Sequence, residues 1–157
     1  MTEQKTTGGQ AQTMRGQNVA NAVVRTLLQT PLVSRGIGKR LVIINVTGRK
    51  TGRRYSVPVA YTRHDGVLLV GTPFGWARNM RTGEPVEIVL QGKRRQADVQ
   101  VISDEAGVVA AYDVICRDNR QFAKFNNIGF GPDGAPSPSD LHQAWAHGAR
   151  AYRLSPR

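Results

Sequence analysis

Apolar and polar positions change rhythm along the chain. Over residues 18–31, Val19, Val23, Val24, Leu27 and Leu28 recur at the three- and four-residue spacing that lines one helix face, until Pro31 ends or bends it. After the Gly36-Ile37-Gly38 break the rhythm becomes that of strands, with β-branched runs over 40–46, 55–63, 67–72, 86–90 and 95–102. The links are short. His64-Asp65-Gly66 and Gln91-Gly92-Lys93 each offer a glycine for the positive φ of a tight reversal. Consecutive strands joined this way predict an antiparallel sheet or a small barrel. Within 73–81, Trp76, Asn79 and Met80 fall on adjacent helical positions, which predicts a short helix inserted between the third and fourth strands. Asp104 is placed to cap a helix over 105–115, with Glu105 in its first turn matching the helix dipole. Residues 117–138, with Phe122, Phe125 and Phe130 among Asn, Gly and Pro, read as an irregular segment able to form a lid. A short helix over 141–147 and a closing strand over 149–154 complete the pattern.

Composition adds bounds. Residues 1–17 are rich in Thr, Gln and Gly and read as a disordered tail, since they bury too little to offset their ordering entropy. Residues 18–157 are the size of one domain with its own core. The amphipathic segment over 18–31 suits a cover for a sheet edge or a rest on a membrane surface. A formal charge of +11 favours anionic partners. The one cysteine, Cys116, excludes an internal disulfide and reads as a buried small hydrophobe. Neither a signal peptide nor a membrane-length apolar run is visible, so a cytoplasmic setting is expected.

Candidate chemistry narrows by elimination. His64, His142 and His147 are isolated, and neither Cys-x-x-Cys nor His-Glu-x-x-His occurs, so no metal site is expected. There is no Gly-x-Ser-x-Gly elbow and no carboxylate pair of the kind hydrolases use. Gly48-Arg49-Lys50-Thr51-Gly52, followed by Arg53 and Arg54, puts cations and a hydroxyl at the mouth of a hairpin; it lacks the spacing of a Walker loop. Such a turn suits phosphate or carboxylate. The site that remains binds rather than attacks, and a redox coenzyme carrying the reactive carbon fits it.

Val46-Thr-Gly-Arg-Lys-Thr-Gly52 followed by Val57-Pro58, then Gly71-Thr72-Pro73 and Gly75-Trp76-Ala77-Arg78-Asn79, resembles the deazaflavin-dependent nitroreductase family over roughly residues 37–102. The resemblance implies an α+β, mainly β split barrel related to the FMN-binding oxidases, with about six antiparallel strands and flanking helices. It also implies hydride transfer from reduced coenzyme F420 to a quinone, nitroaromatic or similar planar acceptor. By position, Arg49, Lys50, Thr51 and Arg54 would meet the phosphate and glutamate tail of the coenzyme. Pro58 and Val59 would lie along the ring, Val70, Gly71 and Thr72 would approach its polar edge, and Trp76, Arg78 and Asn79 would brace it. Members that activate nitroimidazoles carry a tyrosine soon after the Pro58 position, where this chain has Ala60. Tyr61 and Tyr112 are the candidate proton donors for the reduced acceptor.

Other readings stay open at this point. FMN in place of F420 would use fewer of the cations. A non-enzymatic relative carrying haem or a fatty acid keeps the fold, although the histidines lie away from the motif. Nucleic acid is disfavoured, because the few aromatics are not interleaved with the basic residues. Homodimerisation is an expectation from analogy with other split barrels.

Overall fold

The computed structural model describes residues 40–157; the tail over 1–17 and the amphipathic segment over 18–31 lie outside the described residues. Seven strands form one sheet: β1 (Leu41–Thr47), β2 (Arg54–Ala60), β3 (Thr62–His64), β4 (Val67–Thr72), β5 (Val86–Leu90), β6 (Lys93–Ile102) and β7 (Arg150–Pro156). Their spatial order is β2-β1-β5-β6-β7-β4-β3, and every pairing is antiparallel. β2 and β3 are the two edges of this sheet, yet only Tyr61 separates them in sequence. The sheet therefore has to curl until its edges nearly meet. The Tyr61 N–H donates to the Arg40 carbonyl at 3.0 Å, extending the β1–β2 ladder to the point where the chain passes over to β3. The result is the split barrel that the sequence predicts.

Side-chain alternation fills the barrel. Val42, Ile44 and Val46 of β1, Val57 and Val59 of β2, Ile88 and Leu90 of β5 and Leu154 of β7 all point into one core. A second core lies on the other face of β4 and β7. There Leu69 and Ala151 pack against Val108, Ala111, Tyr112, Ile115 and Cys116 of helix α1 (Glu105–Asp118) and Leu141 of helix α3 (Pro138–Ala146). β4 is thus buried on both faces, which accounts for its unbroken apolar run Val67 to Val70. Two hairpins turn as their sequences predict, with Asp65-Gly66 and Gln91-Gly92 at positive φ in both members of each pair. The Asp104 carboxylate accepts from the Gly107 N–H at 2.9 Å and caps α1.

Two expectations need correction. The run over 55–63 is not one strand. Thr62 is buried directly after buried Tyr61, so the two-residue alternation breaks there and the chain passes from one sheet edge to the other. The segment over 117–138 is not wholly irregular either: α1 continues to Asp118, and Asn119 then caps a short helix α2 (Arg120–Phe125) by accepting from the Phe122 N–H at 3.1 Å. Phe122 packs edge-on against Tyr112, with ring centroids 5.2 Å apart.

Candidate functional site

The β1–β2 connection concentrates positive charge, with Arg49, Lys50, Arg53 and Arg54 around Thr51 and Gly52. Its shape comes from the glycines. The Gly48 N–H donates to the Arg53 carbonyl at 2.6 Å, and the Gly52 N–H to the Gly48 carbonyl at 2.9 Å. Gly52 has φ +72°, where L side chains are strained, and a Cβ on Gly48 would lie 3.1 Å from Thr51 Oγ1 and 3.2 Å from the Tyr55 ring. The Thr51 hydroxyl accepts from the Arg53 N–H at 3.2 Å, so it serves the turn itself.

A 3₁₀ turn, Gly75–Asn79, is latched onto this hairpin. The Asn79 side-chain amide donates to the Trp76 carbonyl at 2.8 Å, while its Oδ1 accepts from the Arg49 backbone N–H at 3.2 Å. The Arg49 guanidinium answers with a hydrogen bond to the Asn79 carbonyl at 3.2 Å and an ion pair to Glu84 at 2.5 Å. The three-residue spacing of Trp76 and Asn79 has a mechanical meaning here. It lets one side chain close its own turn and grip a hairpin thirty positions upstream.

Beside the latch is a cleft of about 600 Å³, bordered by Arg49, Arg54, Asn79, Arg81, Glu84 and Glu87. Glu87 is half-buried, accepting from Arg94 at 2.9 Å and from Asn45 Nδ2 at 3.3 Å, with Arg54 further off at 3.7 Å. The Arg49 hydrogen bond holds the Glu84 carboxyl below its ordinary range against the opposing effect of desolvation, with the Arg49 and Arg81 charges acting in the same sense as the bond. Lys50 and Arg81 make no ion pair among the described residues. The cleft is thus edged by both signs of charge, with Arg81 in its lining and Lys50 on the adjoining turn.

The residues singled out by sequence divide into three groups. Arg49, Arg54 and Asn79 line the cleft, and Lys50 and Thr51 stand exposed on the same turn. Pro58 lies opposite Ile43 on the outer face of the sheet, and Arg78 is exposed on the 3₁₀ turn. Val59, Val70 and Trp76 belong to the barrel core, and buried Thr72 spends its hydroxyl accepting from the Phe74 N–H at 3.1 Å. The Trp76 indole N–H is buried without an acceptor among the described residues. A Cβ at Gly71 would meet the Tyr112 ring at 2.7 Å and Phe122 at 2.9 Å. Neither candidate proton donor lines the cleft. Tyr61 is buried in the barrel under the Arg63 guanidinium, 5.7 Å from its ring centre. Tyr112 is fully buried, its hydroxyl donates to the Arg150 carbonyl at 3.3 Å, and burial pushes its phenol far above the ordinary range. Burial likewise pushes the Cys116 thiol up to about 12, as suits an inert packing residue.

Arg81, Glu84 and Glu87 were not legible as site residues. They sit in no motif, and only the fold carries the loop after Met80 back to the hairpin. Among the described residues no cluster of His, Cys, Asp or Glu could hold a metal, and no helix is long and apolar enough to cross a membrane.

Solved structures resemble this chain at low identity. A conserved hypothetical protein of Mycobacterium tuberculosis superposes with a TM-score of 0.51 at 10% identity, over 82% of this chain and 81% of that one. An FAD-binding protein of Mesorhizobium loti gives a TM-score of 0.46 at 15% identity, over 88% and 89% of the two chains. A Bacteroides thetaiotaomicron protein provisionally described as a 5-nitroimidazole antibiotic resistance protein gives 0.47 at 14% identity, over 82% and 80%. No protein of curated function matches. The sequence model of one family, the F420H(2)-dependent quinone reductases, matches residues 10–119, a span that takes in the cationic hairpin, the 3₁₀ latch and the cleft between them. With that span covering most of its length, the chain belongs to the F420H(2)-dependent quinone reductase family, and is an F420-dependent oxidoreductase.

Proposed function

We propose that this oxidoreductase reduces a quinone, a nitroaromatic or a similar planar acceptor, and that the β1–β2 turn with its adjoining cleft holds the anionic tail of coenzyme F420. The bound coenzyme supplies the hydride. The observation that carries the reading is the latch, in which Asn79 fixes the cationic hairpin beside a cleft while Lys50 and Arg81 make no close ion pair among the described residues. The family description supports the quinone as acceptor.

The residues present fit the group. The Lys50 ammonium and the Arg81 guanidinium, neither of them in an ion pair among the described residues, match phosphate and carboxylate oxygens. Magnitudes limit the tail's share. A charge-assisted hydrogen bond contributes about 1.5–3 kcal/mol, so two give about 3–6, whereas micromolar binding needs about 8 kcal/mol. The ring has to supply the rest through apolar contact. Lys50 and Arg81 thus orient and retain the coenzyme, Arg49 and Asn79 hold the turn that presents Lys50, and the acceptor meets the ring elsewhere.

Titration of oxidised coenzyme, followed by its fluorescence, tests the assignment. Binding at about micromolar affinity is expected, weakened about tenfold by Lys50→Ala. With reduced coenzyme, a soluble naphthoquinone should be consumed faster than a nitroaromatic. FMN titrated alongside separates the alternative, because tight FMN binding with no response from the deazaflavin would overturn the proposal.

A further inference from the structure

The cleft contains an anion of its own. Glu84 sits on Arg49, and the pair is exposed, with 37% of the Arg49 side chain and 58% of the Glu84 side chain open to water. Both contacts to protein acceptors leave from the same guanidinium nitrogen, one to Glu84 and one to the Asn79 carbonyl. Nε and the other terminal nitrogen make no hydrogen bond among the described residues, although a guanidinium carries five N–H donors. Arg49 does not depend on Glu84 for its place. Its backbone N–H is held by Asn79 Oδ1, and its side chain by the Asn79 carbonyl, two contacts that do not involve the carboxylate.

We propose that Glu84 is a displaceable counter-anion: it occupies the anion position on Arg49 and gives way when the coenzyme's phosphate or carboxylate arrives, which makes it a specificity-determining residue of the cleft. This rests on the reading that the turn holds the coenzyme tail. The energetics set its character. An exposed ion pair is weak and screened by salt, so it yields readily to a multiply charged ligand that engages Lys50 and Arg81 at the same time. A singly anchored anion has no such advantage. On Arg49 it must displace Glu84 in exchange for one comparable contact, so small anions are kept off that guanidinium. Glu87 plays a different part, because Arg94 and Asn45 hold it in a half-buried network that an arriving anion does not release.

Glu84→Gln keeps the shape and removes the competing charge. At low salt the variant should bind oxidised F420 about two- to fivefold more tightly by fluorescence titration, matching the modest worth of an exposed pair. Inorganic phosphate should compete more effectively against F420 in the variant than in the natural protein, and the gain in coenzyme affinity should shrink at high salt as the charges are screened. Unchanged or weaker F420 binding by Glu84→Gln, in a protein where Lys50→Ala still weakens binding, would overturn the counter-anion role and make Glu84 part of the latch. Should Lys50→Ala leave affinity untouched as well, the tail does not lie on this turn, and both proposals fall together. Glu84→Ala checks that the glutamine introduces no new contact: it should tighten binding as the first variant does, and a loss of affinity counts against the role. Thermal midpoints of all three variants should stay within about 2 °C of the natural protein, as surface substitutions do.

Discussion

Strand β4 and the β1–β2 turn were both expected to touch the coenzyme, and their surroundings could hardly differ more. β4 has protein on each side. Leu68 and Val70 face the barrel, whereas Leu69 and Gly71 face α1 and Phe122, with Tyr112 against the glycine. The turn has protein beneath it and water above, with Lys50 and Thr51 exposed. An apolar, β-branched run records how a strand packs without saying whether the thing packed against it is protein or ligand. A cluster of cations between two glycines instead marks a place at the water boundary, because burying it unpaired would be prohibitive.

Substitutions on the two sides should therefore part company, stability falling on one and binding on the other. The largest effect is expected from Leu69→Ala, which empties a fully buried site between β4 and α1 and should cost about 2–5 kcal/mol in chemical denaturation. Gly71→Val comes next. Its first carbon alone would overlap the Tyr112 and Phe122 rings, so about 1–3 kcal/mol should be lost as those rings shift. Asn79→Ala breaks the latch from the hairpin's side and should cost about 1 kcal/mol while loosening coenzyme binding, a combined outcome that neither region alone gives. Lys50→Ala should leave the denaturation midpoint within about 0.5 kcal/mol and act on coenzyme affinity alone. A loss of stability there would erase the contrast between the two regions.

The smallest effect concerns the seam. Burial alone would raise the Asp118 carboxyl, but hydrogen bonds from Arg40 and from the Thr62 hydroxyl, the latter at 2.8 Å, outweigh it and hold the group below the usual carboxylate range. A depressed folded pKa adds stability that is complete above the unfolded value of about 3.9 and disappears as pH falls through the folded one. Asp118→Asn should accordingly lose that modest contribution at neutrality, flatten the acid limb of a stability profile, and approach the natural protein below about pH 4. An identical acid limb in the variant would show that the seam is held by other contacts.

Much of this fold was readable because its punctuation is local. Asp65-Gly66 and Gln91-Gly92 announce tight hairpins, and Asp104 announces a helix, each by chemistry confined to a few residues. The break at Tyr61 was hidden, since neither glycine nor proline marks it and only the sheet's curvature brings both edges there. The start of α2 at Asn119 was written in the sequence, yet the surrounding Asn, Gly and Pro masked its cap. In the site, the cationic turn was legible as a cluster of charge. The partnership of Arg49 with Asn79 and Glu84 was not, because nothing in the chain's order tells which distant loop a hairpin tip will meet.

Pro58 has a consequence beyond the coenzyme. An open sheet exposes two rows of unpaired amides and carbonyls, a template on which a second chain could add strands and begin to aggregate. In the described sheet one border is β2, where Pro58 has no amide to offer, and the other is β3, only three residues long. The split that leaves the barrel incompletely closed is bordered by strands poorly suited to recruit neighbours, so the protein can keep an open seam without polymerising through it.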